Sequence, residues 1–171
     1  ILFSGLGLGV IVSMAAPILG GVDAAIPVAI AATLWAVEAF AKKNVWLGFP
    51  TNILYLLAYF IILIELKTDE PQFFSMGAAL LGLIQHYLLT RTGNKIATFL
   101  TGMVSQLILL GTTYIQMVNN GLDGLIYFIV LFFQSIAVLV YGIIIRSRSL
   151  TFTPIIMVVL GVVTIIYSTL K

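Results

Sequence analysis

Inside the apolar runs of this 171-residue chain the side chains able to do chemistry are few. They are one carboxylate, Glu38; one imidazole, His86; and a stripe of hydroxyls and an amide, Thr98, Thr101, Ser105, Thr112 and Gln116. An intramembrane carboxylate is costly in lipid and is the usual coupling group for protons or ions when it faces a cavity, which makes Glu38 the candidate coupling acid. Its place four residues before Lys42 offers a plainer role. The pair has the i,i+4 spacing, and Glu38 lies only about 6 Å along the axis from the basic hinge, close enough to reach the interface. His86 could ligate a metal or pigment, or bridge to a neighbouring helix. With no second His and no Cys in the chain, bis-His haem and zinc sets are excluded, no cofactor is expected, and helix bridging is the expected role.

The stripe residues follow one another at intervals of three, four, seven and four, which places all five on one helical face beside Gly102. Such a face suits either the polar lining of a solute path or close helix packing with hydrogen bonds across the interface. Packing is the expectation, because Ser and Thr are the usual small residues of packed membrane helices. Gln106, Gln134 and Asn52 receive the same reading. Gly5-x-x-x-Gly9 offers another close-packing surface.

Other chemistries fail on residue type. Retinal chemistry needs a lysine in the last span, and none lies between Leu150 and Leu170. Pro71-Gln72, the dipeptide of PQ-loop carriers, occurs once, without a second copy at the repeat position. Intramembrane hydrolysis requires a Ser/His pair, two aspartates or a metal-binding His pair, whereas the spans hold one His and no Asp apart from Asp123 at the connection that opens 122–145. No catalytic residue and no enzyme activity are expected.

The elements that must position these residues are set by charge. Three basic hinges, Lys42-Lys43, Arg91 with Lys95, and Arg146 with Arg148, alternate with connections that hold every acid but Glu38. Lys and Arg in short loops are retained on the cytoplasmic side during insertion, so the basic hinges are expected to face the cytoplasm. Composition agrees with a chain that is nearly all bilayer: 61% of residues are hydrophobic and only 8% charged. A water-exposed surface needs far more charge. The net charge of +2 comes without a long basic run, so nucleic acid is excluded as a partner.

Apolar runs bounded by turn signals give seven spans, roughly 1–19, 24–41, 46–66, 73–89, 96–118, 122–145 and 150–170. Short connections make neighbours antiparallel. The expected fold is therefore an all-α polytopic integral membrane protein, a single bundle over 1–171 of about seven transmembrane helices in serial hairpins. The chain opens on Ile1 within an apolar run and reads as a piece of a longer chain. Trp46, Phe49, Tyr141 and Phe152 fall at the inner interface level, and Phe73, Phe74, Tyr127 and Tyr167 at the outer. Shifting 42–67 by 104 positions superposes Pro50 on Pro154, with five further identities over the 26 positions, where chance gives about two or three. Each proline is expected among the helix-start donors that have no partner anyway.

The pattern Lys42-Lys43…Pro50 and Arg146-Ser147-Arg148…Pro154 resembles the uncharacterised multi-span bacterial membrane proteins built of serial helical hairpins. The resemblance covers the six spans after the first and implies no catalytic residues. It implies a bacterial inner membrane or a thylakoid-type membrane as the location. Two functions remain open. The expected one is a non-catalytic membrane domain that packs, anchors or assembles with other transmembrane helices or subunits in the lipid bilayer. The alternative is a small-solute or ion transporter or channel built from repeated hairpins.

Overall fold

The computed structural model describes residues 7, 9–11, 20–120 and 124–170. These residues are helical almost throughout, and six of their helices are long and apolar enough to cross a membrane. We label them α1 (Ala25–Ala41), α2 (Gly48–Glu65), α3 (Pro71–Thr90), α4 (Lys95–Asn119), α5 (Gly124–Ile145) and α6 (Ser149–Leu170). Single 3-10 turns, Val22–Ala24 and Val45–Leu47, lead into α1 and α2. The expected span 1–19 lies outside the described residues except at 7 and 9–11, which are helical, and Gly5 lies outside them as well.

The helices stop for a local reason. After α1, α2 and α5 the chain turns through a left-handed residue, and in each case that residue is basic: Lys43, Lys67 and Arg146 at φ of 50°, 51° and 58°. Two hydrogen bonds close each end in the same pattern. Lys43 N donates to Phe40 O and Asn44 N to Ala39 O; Lys67 N donates to Ile64 O and Thr68 N to Leu63 O; Arg146 N donates to Ile143 O and Ser147 N to Gly142 O. This is the Schellman arrangement, with a long cation where glycine is customary. The cation meets the negative end of the helix dipole and can reach toward water.

Helix starts are equally local. Asn94 caps α4 by accepting from Ala97 N, Asn44 accepts from Trp46 N, and Pro71 is itself the first residue of α3. Pro50 is the third residue of α2, within the first turn, as expected. Pro154 corrects the expectation. It is the sixth residue of α6, past the four donors without partners. The reason is that α6 starts early, at Ser149, through the turn bonds Leu150 N to Ser147 O and Thr151 N to Arg148 O. The missing N–H of Pro154 therefore releases the Leu150 carbonyl, and Gly142 of α5 approaches that carbonyl: a Cβ at 142 would lie 2.9 Å from it.

The chain divides into two compact units, Ile1–Gly77 and Ala78–Lys171. In the first, α1 and α2 pack along a seam of small residues, with Ala24, Ala25, Val28, Ala31 and Ala32 set against Leu54, Ala58 and Ile61. Alanine lets the two backbones come close, which is how helices gain contact energy where lipid is as apolar as they are. In the second unit α4, α5 and α6 each pack on the other two. Leu110, Met117 and Leu131 form its apolar centre, flanked by Tyr114, Phe128, Met157 and Ile165. The outward surfaces carry large apolar side chains such as Phe40, Ile96, Ile144 and Leu170, each at least 74% exposed. Water would not tolerate such a surface on a folded protein; a bilayer does.

Candidate functional site

The polar side chains of the second unit gather at its basic-hinge end. His86 of α3 is fully buried. Its Nδ1 lies 3.3 Å from the Tyr141 hydroxyl of α5, which in turn donates to Leu83 O at 3.0 Å. Tyr141 has one hydroxyl hydrogen, and Leu83 O takes it. Nδ1 must therefore carry the imidazole hydrogen and donate, which leaves Nε2 as an acceptor. Ser147 Oγ, in the hinge between α5 and α6, stands 3.5 Å from Nε2 and 3.0 Å from Ser149 Oγ. The network thus runs from Ser149 through Ser147 and His86 to Tyr141 and ends on a backbone carbonyl.

α4 closes the other side. A Cβ at Gly102 would fall 2.7 Å from His86 Cδ2 and 3.0 Å from Nε2, so only glycine lets the ring lie against this helix. One turn on, Gln106 donates through Nε2 to Ser149 O at 2.7 Å and to Thr153 Oγ1 at 3.1 Å. Four helices and one hinge thus meet in a single hydrogen-bonded cluster. A second tier lies deeper: Thr113 donates to Gln134 Oε1 at 2.8 Å, and Tyr114 pairs with Thr164 at 3.0 Å.

The Ser147–His86 contact has the residue types of nucleophilic catalysis at a long separation. At 3.5 Å it exceeds the distance of about 2.6–3.2 Å at which a base takes a proton. His86 has no exposed surface through which a substrate could reach it, and a tyrosine rather than a carboxylate orients its Nδ1. Among the described residues no three His, Asp or Glu side chains gather as a metal would require. What the cluster does well is hold helices in register, since its bonds tie α3 to α5, α4 to α6, and the α5–α6 hinge to α3.

The stripe on α4 takes up a flanking position. Ser105 is buried and packs on α3, where a Cβ at Gly82 would collide with its hydroxyl. Thr98, Thr101, Thr112 and Gln116 are half-buried. The Thr98, Ser105 and Thr112 hydroxyls bond the carbonyls of Asn94, Thr101 and Ile108 four residues back. The buried face of the helix runs through Gly102, Ser105, Gln106, Leu110, Thr113 and Met117, so Ser105 is the stripe residue that belongs to it. A hydroxyl satisfied by its own helix can face lipid, whereas the amide of Gln106 cannot.

In the first unit Glu38 is buried near the end of α1, with Oε1 2.5 Å from Lys42 Nζ. At the opposite end Glu65 accepts from Gly21 N at 2.9 Å, and Thr33 pairs with Tyr55 at 3.0 Å. The basic hinge residues Lys43, Arg91, Lys95, Arg146 and Arg148 are all exposed. Sequence reasoning singled out His86 but missed Tyr141 and Ser147 as its partners and Ser149 as the next member of the network. The only available signal was two serines placed directly after a helix end, at Arg146-Ser147-Arg148-Ser149. Comparison with protein-family models, with curated proteins and with solved structures gives no match to this chain.

Proposed function

We propose that this chain is a non-catalytic integral membrane domain that packs, anchors and joins a larger membrane assembly, with the bilayer and other transmembrane helices as partners. One observation carries the reading: the cluster of His86, Tyr141, Ser147, Ser149 and Gln106, in which His86, Ser149 and Gln106 are buried, directs its hydrogen bonds between helices and their hinge. Glu38 serves its own hinge through Lys42. In this reading the segment 1–19 adds a seventh span and the spans form antiparallel hairpins. The basic hinges are then cytoplasmic in a bacterial inner or thylakoid-type membrane, in keeping with the resemblance to serial-hairpin bacterial proteins.

A transporter or channel is the second reading, favoured by a different observation. Gln106 Oε1, Gln134 Nε2 and Ser135 Oγ are buried in the second unit without a protein partner, and such groups are suited to hold water. Reconstituted vesicles separate the two. Wild type and Glu38→Gln are both expected to show proton and cation flux no greater than empty vesicles, and neither protein is expected to be labelled at Ser147 by a fluorophosphonate. A robust flux lost only in Glu38→Gln would establish transport and overturn the assembly reading. Ser147 labelling that disappears in His86→Ala would establish a nucleophile.

A further inference from the structure

The basic-hinge end of the second unit carries Arg91, Lys95, Arg146 and Arg148, all exposed, and the described residues of this unit include no acid at all. The first unit differs, because Lys42 there has Glu38 as its counter-ion. Two of the four cations also stand where a helix least favours them. Lys95 is the first residue of α4 and Arg148 immediately precedes α6, so both charges add to the positive ends of helix dipoles that acids ordinarily occupy. The Arg91 guanidinium is held in place, bonded to the Tyr87 hydroxyl and lying over the Tyr87 ring at 4.9 Å.

These cations occupy two levels. Ser147 Oγ lies 3.5 Å from His86 Nε2 and 3.0 Å from Ser149 Oγ, and a Cβ at Gly102 would lie 3.4 Å from Ser149 Oγ and 2.7 Å from the His86 ring, so α6 begins level with Gly102 and the ring beside it. Beyond that level α3 runs four residues further, to Thr90, and α4 reaches back seven, to Lys95. At 1.5 Å per residue the ends of α3 and α4 project about 6 and 10 Å past the start of α6. The result is a step, with Arg146 and Arg148 at its foot and Arg91 and Lys95 at its lip. Its depth suits a phosphodiester and the glycerol beside it, at the height in a bilayer where lipid phosphates lie.

The geometry points to a binding site for the headgroup of an anionic phospholipid on this step, distinct from the general attraction of a basic loop to a negative surface. It depends on the chain being membrane-embedded and not on whether the domain assembles or transports. The test places the full chain in nanodiscs made from equal parts phosphatidylcholine and phosphatidylglycerol, then extracts it and measures the retained lipid by native mass spectrometry. Wild type is expected to retain phosphatidylglycerol over phosphatidylcholine by about tenfold, with the preference falling as ionic strength rises. Arg146→Gln with Arg148→Gln is expected to lose that preference, Arg146→Lys with Arg148→Lys to keep most of it, and Lys42→Gln with Lys43→Gln to change it by less than about twofold. The proposal fails if the Lys42/Lys43 variant loses as much as the arginine variant, or if wild type shows no salt-sensitive preference, a result that needs no variant to fold. It also fails if inorganic phosphate displaces the retained lipid at equal concentration, because the step would then recognise free phosphate.

Discussion

Gly142 and Gly111 put the same absent side chain into opposite surroundings. A Cβ at 142 would lie 2.8 Å from Leu150 Cβ and 2.9 Å from Leu150 O, whereas a Cβ at 111 would meet nothing within 4 Å. The obstacle at 142 is backbone and cannot swing aside. Gly142→Ala is therefore expected to destabilise the fold by about 1–3 kcal/mol through overpacking. Gly111→Ala should be neutral or stabilising by up to about 1 kcal/mol, from helix propensity alone. Unfolding in mild detergent with titrated denaturant checks both, and equal losses at the two sites would mean that α5 and α6 do not approach this closely at Gly142. The same neighbourhood shows what a sequence reveals at this scale. His86 stands out as the single imidazole, but Tyr141 lies 55 positions away and its aromatic ring reads equally well as an interface anchor. Whether a tyrosine hydroxyl meets headgroups or a buried histidine is decided by helix rotation, which one sequence does not print.

Helix ends were largely legible, because the features that stop and start them are local. Asn94, Gly93, Pro71 and the basic pairs placed each boundary of α1 to α6 within about two residues of its position. The rotation of α4 was less legible. Of the hydroxyls at 98, 105 and 112, each bonded to its own backbone, Ser105 is buried while Thr98 and Thr112 are half-buried, and Gln106 and Thr113 share the buried face with it. Also hidden was the use of lysine and arginine as left-handed terminators, since sequence patterns lead one to look for glycine there. That use has a measurable consequence at Lys67, which is exposed with φ of 51°. Lys67→Gly should stabilise by roughly 1 kcal/mol by removing the Cβ penalty of this conformation. Lys67→Val should destabilise by at least that much, because a β-branched side chain tolerates positive φ worst. Thermal unfolding followed by circular dichroism gives the order of the three proteins, and valine ranking at or above lysine would count against the terminal geometry.

Over the whole molecule, charge and apolar surface make one argument together. Helices α1 to α6 turn large apolar side chains outward along their length, while the hinges at 42–43, 91–95 and 146–148 concentrate basic charge between them. If the helices cross a bilayer in sequence, every second connection lies on the same side, and the retention of Lys and Arg sets that side as cytoplasmic. The chain contains no cysteine, so single cysteines report position without background. Cysteine at Lys43, Thr92 or Arg148, all exposed, is expected to react with an impermeant maleimide only from the cytoplasmic face of sealed vesicles. Arg148 is preferred to Ser147, whose hydroxyl is engaged by His86 and Ser149. Cysteine at Asp69 or Asn120, also exposed, is expected to react only from the opposite face. Reaction of positions 43 and 69 from one face would mean that α2 does not cross the membrane. Reaction of 92 and 120 from one face would say the same of α4, and the assignment of the basic hinges to one surface would fall with it.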